Sequence, residues 1–319
     1  MNRDPIDHGT RPRPHNDDPR SQPMGIFTPG EARSGYHMDL RGVAGSYGPP
    51  EEAEAWLALL VARRERVMPV MVLQFGLGAW QRSVDPLDDR ARQWGEIAEL
   101  VADWAVVDMD GYGRFVHHQP MPHTYRIDAG WHSAMSQALG VSLLVRHGYV
   151  SDAARASASL LDPDFGLVRM GAHGPILQEY PATPSPDVLN GWMWGLFGLY
   201  DLSIADGHMS DDARTKAARA FDAGVHALIA ELPSYETGRG WSTYDRYPHR
   251  ITNVASPFYH RLHVAMLGAL ARIASVEQAQ ELEAVAARWN AALASPVTRA
   301  SAVARKVGFR LVVPRGRAA

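Results

Sequence analysis

The sequence predicts a mainly α-helical fold, built from helical hairpins as a bundle or an α/α toroid with a few short β-hairpins. Apolar side chains recur at three- and four-residue spacing in successive segments, which is the period of an amphipathic helix. Strand-like segments are few and short. The loops that join helices at one end of such an array would line a cleft, so we expect the chemistry at that end.

Composition divides the chain into a tail, one large domain and a second tail. Residues 1–30 carry many prolines among polar and charged residues, which indicates a disordered segment. The chain has 319 residues, of which 46% are hydrophobic, so it can bury one large core. We therefore expect an α/α-barrel domain over residues 31–300 and a basic tail over residues 301–319.

The predicted helices follow one another along the chain. The first three are marked by apolar residues at helical spacing: Trp56, Leu59, Leu60 and Val67; Trp94, Ile97, Val101 and Trp104; and Trp131, Met135, Ala138 and Leu139. Later helices carry N-cap signals. Ser210 precedes an acidic first turn, and Ser275 with Gln278 has the spacing of a capping box. Ser185 and Ser256, each followed by proline, predict two further helix starts.

Four segments have the composition of short strands. They are GRFVHH, HTYRI, GLVRM and, near the end, FRLVV. Each is short and lies between helical segments, so hairpins between helices fit better than a central sheet.

Charge and composition exclude several classes of function. A formal charge of -3 gives no overall attraction to nucleic acid or to an anionic membrane. The absence of cysteine excludes disulfides, thiol catalysis and thiolate metal sites. The first residues lack the apolar core of a secretory signal, and uncharged runs such as Val67 to Gln81 are too short for a membrane span. We expect a cytoplasmic protein without a membrane span.

Two groups of histidines raise the question of a metal site. His260 and His263 lie one helical turn apart, while His117, His118 and His123 lie close together in the sequence. The pair has no third ligand nearby, whereas zinc in proteins takes at least three. We interpret the other group as the polar surface of a hairpin. The sequence therefore predicts no metal.

The most informative stretch is EYPATPSPDVLNGWMWGLFGLYDL, residues 179–202. The proline after Tyr180, and the one at position 184, bias the backbone toward an extended conformation ahead of an apolar helix. The stretch therefore presents Glu179 and Tyr180 at the mouth of a buried helix. Its aromatic side chains at helical spacing could belong to the core, to a sugar-stacking surface, or to both.

Two other tyrosines lie at the boundaries of predicted elements. Tyr259 falls in the first turn after Ser256, and Tyr244 lies in the loop sequence RGWSTYDRYPHR. Taken singly, a tyrosine at a helix start is most often a half-buried residue with its hydroxyl bonded to a carbonyl. None of these residues alone identifies a function.

Together these motifs resemble the D-glucuronyl C5-epimerase family. The stretch at 179–202 is similar to that family's segment running from Glu-Tyr-Pro through Leu-Asn-Gly to Gly-Leu-Tyr-Asp-Leu. GWHSAMSQALGVSLLVR resembles its Trp-x-Ser-Ala-Met-x-Gln segment, and STYD followed by NVASPFYHRLH resembles its two remaining tyrosine motifs. The order and approximate spacing agree from about residue 130 to about residue 270. A weaker likeness extends upstream through GYHMDLR and VLQFGLGAW.

The resemblance implies an enzyme that binds a glucuronate-containing polysaccharide and inverts C5 to give iduronate, heparosan being the family's substrate. The implied catalytic residues are Glu179, Tyr180, Tyr244 and Tyr259. The implied substrate-binding residues are Met135, Gln137, Asn190, Trp194, Arg246, Arg250, Asn253, His260 and Arg261. Two positions depart from the family pattern. Trp194 stands where the animal enzymes have tyrosine. Arg246 follows the Tyr-Asp pair directly, whereas the family usually has one residue between the pair and the arginine. We predict no cofactor and, from the net charge, no nucleic-acid partner, and we leave open a homodimer.

The residue types suit proton transfer at a carbon next to a carboxylate. Removing the C5 proton of a uronate builds negative charge on its carboxylate, and inversion needs one group on each face. Because a free phenol has a pKa of about 10, we expect nearby positive charge to lower the pKa of one tyrosine. The expected source is a locally basic window, with an ordinary solvated loop as the alternative: Arg239, Arg246, His249, Arg250, Arg261 and His263.

The working hypothesis places Tyr259 on one face of C5 and Glu179 or Tyr180 on the other. Tyr244 and the nearby arginines would steady the carboxylate. Two other functions use the same residue types. An α/α-type uronate polysaccharide lyase would remove the same proton and then expel the C4 substituent, and a non-catalytic glycan-binding protein would keep the cleft without exchanging the proton.

Overall fold

The computed structural model describes residue 18 and residues 21–62, 67–122, 124–207 and 209–314. Within these residues the chain is mainly helical, as the sequence predicts. The helices are α1 Arg41–Gly45, α2 Pro50–Val61, α3 Pro69–Ser83, α4 Ala91–Asp108, α5 Ala134–His147, α6 Val150–Leu161, α7 Leu189–Ser203, α8 Asp211–Glu231, α9 Pro257–Ala271, α10 Val276–Ala294 and α11 Pro296–Val312. The strands are β1 Met121–Pro122, β2 Arg126–Ile127, β3 Val168–Met170 and β4 Pro175–Leu177.

From α3 onward the helices form two layers of hairpins. Helices α3, α5, α7 and α9 contact one another in that order, and each packs against the helix that follows it in the chain. The inner helices α5 and α7 bury nearly every residue, whereas α8 buries one face. A helix that is apolar all round belongs inside an array and an amphipathic helix belongs outside it. The helical hairpins are therefore confirmed, while closure of the row into a toroid stays a prediction.

Small residues bring the two central helices close together. A Cβ atom on Gly198 of α7 would lie only 2.6 Å from the Cα atom of Ala138 on α5, so any larger residue would push the helices apart. Trp192, Trp194 and Phe197 of α7 are fully buried in the core. The aromatic run of residues 179–202 is thus core rather than a sugar-stacking surface.

Two short hairpins match part of the predicted strand pattern. Strand β2 lies in HTYRI and β3 lies in GLVRM, and their antiparallel pairings place Met121 opposite Ile127 and Val168 opposite Leu177. GRFVHH is not a strand: its one bridge in the part of the chain that the structure describes joins His117 to Trp131. The first four residues of FRLVV belong to α11, and the fifth, Val313, is its C-cap.

Three of the four predicted helix starts are confirmed. Ser210, Ser256 and Ser275 are N-caps, and the last forms both bonds of a capping box. The start predicted at Ser185 is wrong, because α7 begins at Leu189 after the N-cap Val188. Asp187, two residues after Ser185, has a φ of 45°, a left-handed conformation that interrupts a helix.

The two ends of the chain depart from the predicted tails. Most of the predicted tail at 1–30 lies outside the described residues, but Phe27 is buried and Gly25 donates a backbone hydrogen bond to the His37 carbonyl at 2.8 Å. At the other end, α11 continues to Val312, so the boundary predicted at residue 300 falls inside a helix. Phe309 is fully buried there. Across the described residues, every helix is too short or too polar to cross a bilayer.

Candidate active site

The N-terminal ends of three inner helices meet at one place. At the start of α5 the Ala134 backbone N–H donates to the Gln178 carbonyl at 3.0 Å, and at the start of α7 the Leu189 N–H donates to the Tyr244 carbonyl at 3.1 Å. Tyr259 lies in the first turn of α9, and its ring centre is 4.7 Å from that of Tyr244. Because a helix N-terminus carries a partial positive charge, this end of the array favours an anion.

Three of the sequence-predicted residues form a hydrogen-bonded series. The Tyr244 hydroxyl donates to the Tyr180 hydroxyl oxygen, and the Tyr180 hydroxyl donates to the Glu179 carboxylate. The Asn190 side-chain amide donates to the same carboxylate at 3.0 Å. The structure therefore brings Glu179, Tyr180, Tyr244 and Asn190 together, with Tyr259 packed against the outer end of the series.

The Glu179 carboxyl group is buried and changes charge near neutral pH. Only 6% of the residue is exposed. Burial raises its pKa to about 7, while hydrogen bonds from Tyr180, Asn190 and the Gly191 backbone act in the opposite direction. A carboxyl group with this pKa can both accept and release a proton under physiological conditions.

Glycine at position 191 allows the Glu179 side chain to lie against helix α7. A Cβ atom at this position would lie 2.2 Å from the Cβ of Glu179 and 2.6 Å from its Oε2. These distances leave no room for a side chain. The Leu-Asn-Gly motif thus supplies both an amide donor and the space for the carboxylate.

The buried tyrosines are held in their protonated form. Burial raises the pKa of Tyr180 well above 10, and the charge of Glu179 adds to the effect. The pKa of Tyr244 is raised for the same two reasons. The expectation that positive charge lowers the pKa of a tyrosine is therefore wrong for these two, and Tyr180 suits proton relay to Glu179 better than action as a preformed phenolate.

A second hydrogen-bonded group lies behind Tyr244 and was not foreseen from the sequence. The Tyr125 hydroxyl and the Asn253 amide both donate to the Asp245 carboxylate. Lys306 donates to Asn253 Oδ1 at 2.7 Å, and its Nζ lies 5.5 Å from the centre of the Tyr244 ring. Of these four residues only Asn253 was predicted, because Tyr125 falls in a strand-like segment and Lys306 falls in the expected tail.

Aromatic rings enclose the site on one side. The rings of Tyr125 and Trp131 have their centres 5.6 Å and 5.7 Å from that of Tyr180. Both residues are buried. Such a wall excludes water, which strengthens the electrostatic interactions of the groups inside.

Arg246 supports the loop and is held by protein carboxylates. Its guanidinium donates to Asp187 Oδ2 at 2.8 Å and to Glu231, and it stacks on the Tyr235 ring with 5.0 Å between Cζ and the ring centre. Arg169 donates to the other oxygen of Asp187 at 3.0 Å. The Arg246 guanidinium is therefore part of an ion-pair network that fixes the approach to α7, and its contact with substrate stays a prediction.

Three other predicted substrate contacts lie in the core. The Gln137 amide bonds to backbone groups of Phe115, Gly113 and Ala156. Trp194 stacks on Tyr36 with ring centres 6.1 Å apart. His260 accepts from the Ser242 N–H and donates through Nε2 to the Trp289 carbonyl at 3.0 Å. The structure does not bring these side chains to the tyrosine cluster.

The remaining predicted contacts lie at the edges. Met135 is in the first turn of α5 and is buried, at the end where the tyrosines meet. Arg250 and Arg261 are exposed. The locally basic window therefore divides into a paired arginine, buried histidines and exposed arginines, and its members do not form one charged surface.

Three of these histidines, His117, His260 and His263, are buried and serve packing, whereas His118 is exposed. His117 is buried, stacks on Trp131 with ring centres 3.8 Å apart and bonds to Ser136 at 2.9 Å, so it is not the polar hairpin surface that we expected. His263 Nδ1 lies 2.8 Å from the Ser242 hydroxyl. His123 lies outside the described residues. Among the residues that are described, no group of three or more side chains could hold a metal ion.

Comparison with known proteins identifies the family of this chain. The model of the D-glucuronyl C5-epimerase C-terminus matches residues 109–291, which is more than half of the chain. A D-glucuronyl C5-epimerase of Caenorhabditis elegans is 34% identical over 224 residues, covering 64% of this chain and 36% of that protein. The chain thus spans about a third of the length of that relative.

The matched segment contains Glu179, Tyr180, Tyr244 and Tyr259 and ends before Lys306. The tyrosine motifs and Gly191 therefore lie within the matched region. On the strength of this match, the chain belongs to the family defined by the C-terminal region of the D-glucuronyl C5-epimerases.

Proposed function

We propose that this chain is an epimerase that inverts C5 of D-glucuronate residues to L-iduronate in a heparosan-like polysaccharide. The observation that carries the proposal is the hydrogen-bonded series from Tyr244 through Tyr180 to Glu179, with Tyr259 beside it, at the positive ends of three helices. The family match and the name of the relative support the same reaction.

In the proposed first step, the C5–H bond breaks on one face of the sugar. The Tyr180 oxygen takes the C5 proton while its own proton moves to the Glu179 carboxylate. The electron pair of the C5–H bond spreads into the C6 carboxylate. This relay needs no free phenolate, which agrees with the raised pKa of Tyr180 and with the pKa of about 7 for Glu179.

In the second step, the Tyr259 hydroxyl donates a proton to C5 from the opposite face. One proton leaves the sugar and one returns, so the bond order of the product equals that of the substrate and only the configuration changes. Proton exchange with solvent then restores the two groups. The half-buried position of Tyr259 suits a group that must meet both substrate and water.

The test is the exchange of the C5 proton in deuterium oxide. Purified protein is incubated with heparosan, and deuterium at C5 and iduronate signals are followed by NMR. We expect both signals without chain cleavage. Tyr259→Phe should lower the exchange rate by at least about 100-fold, whereas Tyr112→Phe, at a residue that is 66% exposed, should leave it unchanged.

Two results would contradict the proposal. Unsaturated uronate ends, detected by ultraviolet absorbance, would identify a lyase. Binding of heparosan without any C5 exchange would identify a glycan-binding protein.

A further inference from the structure

Helix α11 brings a cation to the tyrosine cluster from outside the family-matched segment. That segment ends at residue 291, whereas Lys306 lies in the middle of α11, Pro296–Val312. Its Nζ is 5.5 Å from the centre of the Tyr244 ring. The Tyr244 ring is in turn 4.7 Å from that of Tyr259, so the ammonium group lies against the tyrosine that connects Tyr180 with Tyr259.

The position of Lys306 is fixed by buried polar groups. Its Nζ donates to Asn253 Oδ1 at 2.7 Å, and the Asn253 amide donates to Asp245, which also accepts from Tyr125. Asn253, Asp245 and Tyr125 are all buried. Because each partner is itself held, the ammonium group is preorganised and would lose little entropy on meeting a ligand.

The arginines proposed from the sequence are less suited to the same task. Arg246 is bound to the carboxylates of Asp187 and Glu231, so its charge is compensated within the protein. Arg250 and Arg261 are exposed, where water and salt screen their charge. Lys306 is half-buried and its Nζ lies 5.5 Å and 5.3 Å from the ring centres of Tyr244 and Phe309, where a single positive charge acts more strongly.

We infer that Lys306 binds the carboxylate of the uronate whose C5 is inverted, and that it stabilises the second negative charge which develops there. This inference rests on the proposed function. It assigns carboxylate recognition to the last helix, and it makes α11 a part of the active site. An ammonium group suits this role because it is a compact charge with several donors.

The test compares substitutions at two neighbouring positions of α11. Lys306→Gln keeps a donor toward Asn253 but removes the charge, Lys306→Met removes both, and Lys306→Arg keeps the charge. Arg305→Met is the matched control, because Arg305 is exposed and carries the same charge on the same helix. Each variant is assayed for C5 exchange on heparosan and for binding of heparosan and of its carboxyl-reduced form.

We expect Lys306→Gln and Lys306→Met to lower kcat/KM for exchange by about 100-fold. Part of this change is a lower kcat and part is a higher KM. Lys306→Arg should recover part of the activity, and Arg305→Met should behave as the unaltered protein. Binding of heparosan should weaken in the two neutral variants. Binding of the carboxyl-reduced polymer, which lacks the charge, should not change.

The results separate this inference from the proposed function. If the unaltered protein exchanges C5 but Lys306→Gln matches Arg305→Met in exchange and binding, the role of Lys306 is rejected and the epimerase stands. If heparosan binds in a Lys306-dependent way without exchange, carboxylate recognition stands and the epimerase is rejected. If heparosan neither binds nor exchanges, both are rejected. Melting curves of all variants identify loss of the fold, and Lys306→Arg then decides the role of the charge.

Discussion

The Glu179 carboxyl group derives its reactivity from its surroundings. The residue is buried beside a tyrosine whose hydroxyl donates to it, and burial is the largest influence on its pKa. Two amide donors, the Asn190 side chain and the Gly191 backbone, hold it in one orientation. A carboxylate on an exposed loop would have an ordinary pKa and several orientations, and would serve poorly as a proton acceptor at neutral pH.

This environment predicts the pH dependence of C5 exchange. The relay accepts a proton only when Glu179 is ionised, and its pKa is raised to about 7. We therefore expect kcat/KM to rise as the pH increases through about 7. Glu179→Gln should lower exchange by at least about 100-fold and abolish that rise. A pH profile of the residual rate that keeps the same rise would show that another group is responsible.

The close contact at Gly191 predicts a large effect from a single methyl group. Gly191→Ala should destabilise the protein by about 1–3 kcal/mol, because its Cβ would overlap the Glu179 side chain. It should also lower the rate of C5 exchange by more than the loss of folded protein accounts for. Gly308→Ala is the control, since a Cβ there meets nothing within 4 Å. In a helix this control should stabilise by about 0.5–1 kcal/mol. Urea unfolding measures the stability of both variants, and equal changes in their free energy of unfolding would refute the steric argument.

The residues of the site differ in how far the sequence reveals them. Glu179, Tyr180, Tyr244 and Tyr259 could be predicted because each lies in a short motif with an ordered backbone. The hydrogen bond between Tyr125 and Asp245 could not be predicted, because the two residues are 120 positions apart in sequence and nothing in the sequence around one indicates the other as its partner. Such pairings depend on how the hairpins pack.

At the scale of elements, the helix starts show what a local signal can and cannot decide. Ser256 with the following proline begins α9 as predicted, and its hydroxyl accepts from the Tyr259 N–H. Ser185 has the same local signal, but its hydroxyl bonds to Gln178 and Asp187. Asp187 forms ion pairs with Arg169 and Arg246, and this tertiary network overrides the local preference of the segment.

Helix α11 provides a test of the element that the sequence least revealed. Phe309 is fully buried, and its ring centre lies 4.9 Å from that of His249. Phe309→Ala should cost about 3–5 kcal/mol of unfolding free energy. Leu311→Ala, two residues away but 79% exposed, should change it by less than about 0.5 kcal/mol. Chemical denaturation decides, and a Phe309→Ala protein of unaltered stability would mean that α11 is a tail in solution.

On the scale of the whole molecule, a polar cluster joins the inner helices to the N-terminal segment. Arg146 of α5 donates to Asp201 of α7 at 2.7 Å, and His37 Nε2 lies 2.9 Å from the same carboxylate. The helical hairpins could be predicted from apolar periodicity, but this cluster could not, because a charged residue within an apolar helix has no sequence signal for its partner. Since all three side chains are buried, removing one would leave an uncompensated charge or donor.

Buried histidines give the molecule a defined response to acid. Burial is the main influence in each case: it lowers the pKa of His117 to about 3 and the pKa of His260 to about 4. It also lowers the pKa of His37, His132 and His263. In the unfolded chain these groups have a pKa of about 6.5. Between that value and their lowered values, the unfolded state binds protons that the folded state does not.

Stability should therefore fall as the pH decreases from about 6.5 toward 4. Each such histidine contributes a slope of up to about 1.4 kcal/mol per pH unit in that window. Glu179 acts in the opposite direction, because its folded pKa is raised and its protonated form is favoured on folding. Five histidines oppose one carboxyl group, so the net slope keeps the sign that the histidines set.

Urea unfolding at pH 7.5, 6.5, 5.5 and 4.5 measures this slope. Replacing the buried His117 by Asn should lower stability at pH 7.5 and flatten the decline by up to about 1.4 kcal/mol per pH unit. Replacing the exposed His226 by Gln should leave the pH dependence of stability as steep as in the unaltered protein. A free energy of unfolding that stays constant from pH 7.5 to 4.5 would mean that these histidines gain protons in the folded state, which is possible only if water reaches the interior that packs around the site.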